Sequence, residues 1–126
     1  MKRVLVVDDE PTIRELIADI LREWGYHVDT AANGAEALQL MRRQLPHAIV
    51  LDLMMPQLDA TGFVELKRLD PRLDAIPILL VTAAFSAGEA AERLQAQACL
   101  TKPFELDELV RIVDRLVGEP AALAQT

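Results

Sequence analysis

Cysteine and histidine are nearly absent from this chain of 126 residues. The single cysteine, Cys99, excludes an internal disulfide and any zinc site built from several thiolates. The two histidines, His27 and His47, are too few for most imidazole-rich metal centres and read as surface or strand-edge residues. Basic residues are outnumbered: 13 Lys and Arg against 20 Asp and Glu leave a formal charge of −7. Such a surface repels phosphate backbones and anionic lipid, which argues against direct binding to nucleic acid or a membrane. Long apolar runs are missing too. Val4 to Val7 meets acid at Asp8-Asp9 after four apolar residues, far short of a signal peptide. Ile76 to Val81 is strand-sized and interrupted by Pro77, so it spans no bilayer. A soluble, cytoplasmic protein is the expectation.

What is present has an ordinary globular balance, with 52% hydrophobic and 26% charged residues. The length suits one domain, which hides about two-thirds of the surface its unfolded chain exposes. Short apolar runs alternate with stretches of helical period from end to end. Val4–Val7, His27–Ala31, Ala48–Leu51, Ile78–Val81 and Ala98–Leu100 read as strands. Between the first two, Ile13, Leu16, Ile17, Ile20, Leu21 and Trp24 recur at threes and fours, with Pro11 in the first turn and Gly25 at the stop. A second helix opens at Asn33-Gly34 and carries Ala37, Leu38 and Met41. Met55 to Asp59 reads as a loop, and a third helix carries Phe63, Val64 and Leu69 and ends near Asp70-Pro71. Ser86 with Glu89 forms a capping-box pattern for a fourth helix. Leu106 to Val117 is a last amphipathic helix stopped by Gly118. This predicts a folded domain over residues 1–118 and a flexible tail over 119–126.

Five strands alternating with five helices, the central strands apolar on both faces, mean a parallel sheet covered on both sides. The fold expected is a three-layer, doubly wound α/β domain. In such sheets ligands bind beyond the carboxyl ends of the strands. The polar residues that end the apolar runs are therefore the informative ones: Asp8-Asp9, Asp52, Thr82 and Lys102. If these strands neighbour one another, three carboxylates, a hydroxyl and an ammonium converge on one rim. Two carboxylates about 5 Å apart repel by roughly 3 kcal/mol at an effective dielectric near 20. Three of them call for protonation, the lysine or a divalent cation, and an all-oxygen donor set suits Mg²⁺.

At this point the chain resembles a known family. Val7-Asp8-Asp9-Glu10, Leu51-Asp52-Leu53-Met54-Met55-Pro56, Val81-Thr82-Ala83 and Thr101-Lys102-Pro103-Phe104 are similar to the motifs of the two-component response regulator receiver domain. The likeness runs from about Lys2 to Val117. It implies a flavodoxin-like sheet of strand order 2-1-3-4-5. It also implies Mg²⁺-dependent phosphorylation of Asp52 by a sensor histidine kinase or phosphotransfer protein, the domain acting as a monomer or weak homodimer and as a switch rather than a metabolic enzyme. The resemblance gives Asp9, Asp52 and the Met54 main-chain carbonyl as direct metal ligands, with Asp8 acting through water. It pairs Lys102 with one phosphoryl oxygen and Thr82 with another, and it implies a cis Lys102-Pro103 bond.

Bland roles fit several neighbours. Glu10 serves the first helix's N-terminus, Asp59 a turn or cap, and Trp24, Phe63 and Phe104 packing, while Arg42-Arg43 forms a solvated face. Three departures from the family pattern stand out. Ala60 follows Asp59 where glycine is usual, the chain is about two residues short between Thr82 and Lys102, and Cys99 takes the place of the family's switch aromatic. Conformational change is therefore expected around Ala83 to Gly88 more than at Cys99. Three other functions compete. An aspartyl-phosphate hydrolase lacks its second carboxylate, since Met54 stands two after Asp52, and a nucleotide-binding protein lacks a glycine-rich loop after the first strand. A receiver-like interaction module without phosphorylation remains as the alternative.

Overall fold

The computed structural model describes residues 2–52, 57–83 and 87–118, with the backbone alone at 57–60 and at 87. Strands β1 (Arg3–Val7), β2 (His27–Ala31), β3 (Ala48–Asp52), β4 (Ile78–Thr82) and β5 (Ala98–Thr101) form one parallel sheet in the order β2-β1-β3-β4-β5. Helices α1 (Pro11–Glu23), α2 (Gly34–Arg43), α3 (Gln57–Leu69), α4 (Pro71–Asp74), α5 (Ala87–Leu94) and α6 (Leu106–Leu116) surround it. The expected strand order is observed.

Alternation along the strands explains the three layers. Val4 and Val6 of β1, with Val50 of β3 and Leu79 and Val81 of β4, face a core completed by Ile17 and Leu21 of α1 and Leu109 and Val113 of α6. Leu5, Val7, Ile49, Leu51, Ile78 and Leu80 point the other way, onto Leu38 and Met41 of α2, Phe63 of α3 and Leu94 of α5. Of the three inner strands, β3 and β4 are buried along their whole length, which is why neither shows a polar alternation. Among the described residues no helix is long and apolar enough to cross a membrane.

Local chemistry sets the helix ends. Glu10 caps α1, its carboxylate accepting the Thr12 and Ile13 N–H groups, and Gly25 follows the helix at φ +98, a conformation glycine adopts without a Cβ clash. Asn33 caps α2 by accepting the Glu36 N–H at 2.9 Å. His47 accepts the Arg3 N–H through Nδ1 at 3.0 Å, so it is a strand-edge residue as expected.

Four expectations are corrected. There are six helices, not five, because Asp70 accepts the Arg72 N–H and Pro71 starts a separate turn, α4, where only a helix end was expected. Gln57 to Asp59 belongs to α3 rather than to a loop, so Asp59 lies inside a helix. Trp24 is 60% exposed and packs no core, since it sits one residue past α1 while the buried positions of that helix are Ile17, Ala18 and Leu21. Leu16 is exposed although it lies inside α1, because it is on the flank of that buried stripe. Ser86 of the expected capping box, residues 84–86 of the expected switching segment and the 119–126 tail lie outside the described residues.

Candidate functional site

The sheet itself brings the polar residues together. Asp8 continues β1 by donating its N–H to the Ala31 carbonyl at 3.1 Å. Asp52 closes β3, paired in register with Val81, and Thr82 closes β4 opposite Thr101. Lys102 follows β5, its N–H donated to the Thr82 carbonyl at 2.8 Å, and the Lys102-Pro103 peptide is cis. Because β1, β3, β4 and β5 are neighbours and parallel, their carboxyl ends form one rim. Asp8, Asp52 and Thr82 are buried there, and Asp9 is exposed above them.

Carboxylate oxygens of Asp8, Asp9 and Asp52 all lie within 4.8 Å of one another. The Lys102 Nζ stands 3.6 Å from Asp52 Oδ1, close enough for an ion pair and too far for a good hydrogen bond. Asp8 Oδ1 accepts the Glu10 N–H at 2.9 Å, and the Arg14 guanidinium donates to the Asp8 carbonyl at 2.9 Å. The N-terminus of α1, the positive end of its helix dipole, begins two residues after Asp9, with its Thr12 and Ile13 N–H groups already taken by Glu10.

Burial raises the Asp8 pKa from 3.8 to about 6, reinforced by a hydrogen bond to Asp52 and by the Asp52 charge. The Glu10 N–H and the Lys102 charge work in the opposite direction without cancelling it. The raised value reports first the burial of the carboxyl and then its closeness to Asp52. The donors are hard oxygens, so a small divalent cation such as Mg²⁺ fits the set, and a soft metal does not. Met54, expected to lend its carbonyl, lies outside the described residues.

Two contributors escaped sequence reasoning. Arg14 bonds Asp8 from the first turn of α1, a contact whose only signal is its distance of six residues from Asp8. An apolar recess of about 340 Å³ also adjoins Lys102, lined by Ile13, Leu16 and Ile17 of α1 and by Pro103, Phe104 and Leu106. Phe104 is half-buried against the core that holds α6, as its packing role requires.

Residues 4–114 match the family model of the response regulator receiver domain. The chain belongs to that family. As a receiver domain it is 38% identical over 122 residues to the response regulator Rre1 of Synechocystis, covering 94% of this chain and 53% of Rre1. It spans about half the length of the curated relatives it matches. Among solved structures, a putative response regulator from Chloroflexus aurantiacus superposes with a TM-score of 0.84 at 36% identity, covering 92% of this receiver domain and 97% of that chain. The response regulator protein TrrA from Thermotoga maritima, in complex with Mg²⁺–BeF, superposes with a TM-score of 0.80 at 37% identity, covering 92% and 99%. The receiver architecture of this chain is thus shared with both.

Proposed function

We propose that this receiver domain accepts a phosphoryl group on Asp52 from a phosphohistidine of a sensor histidine kinase or phosphotransfer protein, and that Mg²⁺ is required. The donor's N–P bond breaks as a P–O bond to an Asp52 carboxylate oxygen forms, and the histidine nitrogen keeps the electron pair. The attacking oxygen has no proton to lose, so no general base is needed. Asp9, Asp52 and the Met54 carbonyl would hold the metal directly, and Asp8 would hold it through water. When bound, Mg²⁺ neutralises charge that builds on the transferring group. Lys102 pairs with one phosphoryl oxygen, and the Thr82 hydroxyl donates to another. The recess beside Lys102 gives the donor protein an apolar foothold next to the reacting atoms.

The observation that carries this reading is the cluster of three carboxylates within 4.8 Å of one another, with the Lys102 ammonium 3.6 Å from Asp52. A nucleophile, a cation site and a fixed positive charge side by side are what phosphoryl transfer requires and what a passive binding surface does not. The domain acts as a cytoplasmic monomer or weak homodimer, with residues 1–118 as the folded unit and 119–126 as its tail.

Incubation with acetyl phosphate and Mg²⁺, followed by intact-mass analysis, tests the proposal. The wild-type chain should gain one phosphoryl mass, and Asp52→Asn or EDTA should abolish the gain. Unchanged labelling of Asp52→Asn would falsify the acceptor assignment. A wild-type chain that never gains mass would favour the unphosphorylated interaction module.

A further inference from the structure

A second groove lies between α2 and α3, on the other face of the sheet from α1 and α6, and shares no lining residue with the strand-end rim. It measures about 420 Å³ and is lined by Gly34, Ala35, Leu38 and Arg42 of α2 and by Gly62, Phe63 and Leu66 of α3, with Gln39 beside them. Leu66 is 47% exposed, and Leu69, one turn further along α3, is 78% exposed, so the apolar track continues past the groove. From Gly34 to Arg42 the track runs about 12 Å along α2, the length of two helical turns.

Gly62 shows that this opening is not forced by the fold. It sits inside α3, where glycine weakens a helix relative to alanine. Its backbone does not occupy the left-handed region, and a Cβ there would meet nothing within 4 Å. Neither backbone geometry nor packing accounts for the missing side chain. Its effect is to keep the groove open.

Charge supplies the second observation. In a chain of net charge −7, this groove ends on a cation. Arg42 forms no hydrogen bond or ion pair among the described residues, and neither does the adjacent, exposed Arg43. Asp70, the acid that feels the Arg42 charge, is already bonded to Arg72 at 3.1 Å. Glu36 is turned back to accept the Ala32 N–H at 2.7 Å. The cationic end is therefore open to a partner.

We propose that the α2–α3 groove docks an acidic amphipathic helix of a partner protein, its apolar side chains over the exposed Leu66 and Leu69 and its carboxylates against Arg42 and Arg43. A second copy of this chain seated groove to groove would bring Arg42 no carboxylate, because the described lining residues carry none, so charge disfavours a homodimer on this face. An elongated occupant matches the apolar track, which reaches beyond the groove to Leu69. The surface is separate from the phosphoacceptor rim, so this proposal stands whether or not Asp52 is phosphorylated.

The test uses the full ¹⁵N-labelled chain and two synthetic helical peptides of about 16 residues, with leucine at i, i+3, i+4 and i+7. One peptide carries glutamate beside the apolar stripe, and the other carries lysine. The acidic peptide should shift amides of Gly34–Arg42 and Gly62–Leu69, and the lysine peptide should bind at least about tenfold more weakly. Gly62→Met fills the groove without a clash at Cβ, and Arg42→Glu inverts its charge. Each should weaken the acidic peptide about tenfold or more, and Arg42→Glu should improve the lysine peptide. The proposal is overturned by equal affinity for both peptides, by no shifts at millimolar peptide, or by shifts centred on Ile13 and Phe104. It is equally overturned if either variant binds like wild type. Concentration-dependent dimers that Gly62→Met dissolves would give the groove to a second copy instead.

Discussion

Removing a buried carboxylate from the rim should make the metal-free domain more stable. Asp8 is 2% exposed and shares its surroundings with Asp52 and Asp9, all with oxygens within 4.8 Å. A unit-charge pair at that separation repels by roughly 3.5 kcal/mol at an effective dielectric of 20. The titration of Asp8 gives a second figure, one that includes the cost of burying the charge as well as the repulsion from Asp52. Its pKa lies at about 6 in the fold, against 3.8 for an ordinary aspartate. Between those values the folded state keeps a proton that the unfolded state has lost, so stability falls as pH rises through the interval. At 1.36 kcal/mol per pH unit the full loss above pH 6 is roughly 3 kcal/mol. Asparagine keeps the shape, and its oxygen still accepts the Glu10 N–H, but it carries no charge. In EDTA at pH 8, Asp8→Asn should therefore gain about 2–3 kcal/mol, or roughly 6–12 °C in Tm for a domain of this size. At pH 4.5 the gain should shrink to about 1 kcal/mol, because native Asp8 is then already protonated. Thermal melts followed by circular dichroism at both pH values measure this. A lower Tm at pH 8, or a gain that does not depend on pH, would refute the electrostatic account.

Mg²⁺ affinity, followed by calorimetry, should fall more for Asp9→Ala than for Asp8→Ala, by more than about tenfold for the former, because of these two only Asp9 is proposed as a direct ligand. Equal losses would contradict that geometry. Trp24 fluorescence is a poor reporter for this titration, since the ring lies at the far end of α1, about 20 Å along the helix from the acids. Gln95 sits at φ +58 just after α5, where the Ala96 N–H returns to the Ala91 carbonyl at 2.8 Å. Gln95→Gly should relieve left-handed strain and stabilise the domain by about 0.5–1 kcal/mol, raising Tm by roughly 2–5 °C. An unchanged or lower Tm would show that the turn is not strained.

The strands and the rim were legible because burial on both faces writes an uninterrupted apolar run, and each run ends in a polar residue at the carboxyl edge of the sheet. In Ile49-Val50-Leu51-Asp52 the break from apolar to acid marks both the strand and its end. Solvent exposure was less legible. Leu16 and Trp24 share the spacing of Ile17 and Leu21, but a helix on a flat sheet buries only a narrow stripe. Asp70-Pro71 marks a stop and a start with the same two residues, so α4 was hidden inside a helix end. Nothing in the sequence marked Lys67 as buried. Its ammonium reaches the Asp74 carbonyl at 3.0 Å, a partner created only when α3 and α4 fold against each other, and burial lowers its pKa.

The placement of the acids on the sheet has a consequence for time as well as for geometry. Asp52 is the last residue of a central strand flanked by β1 and β4, and all three are buried from their second residue onward. A residue in a ladder buried on both faces opens less often than one in an exposed link. Asp9 belongs to the exposed link between β1 and α1, a kind of segment that reorients in nanoseconds to microseconds. Asp52, the proposed acceptor, is thus held by the sheet, while Asp9, the proposed metal ligand, sits on the segment better able to follow a ligand in and out.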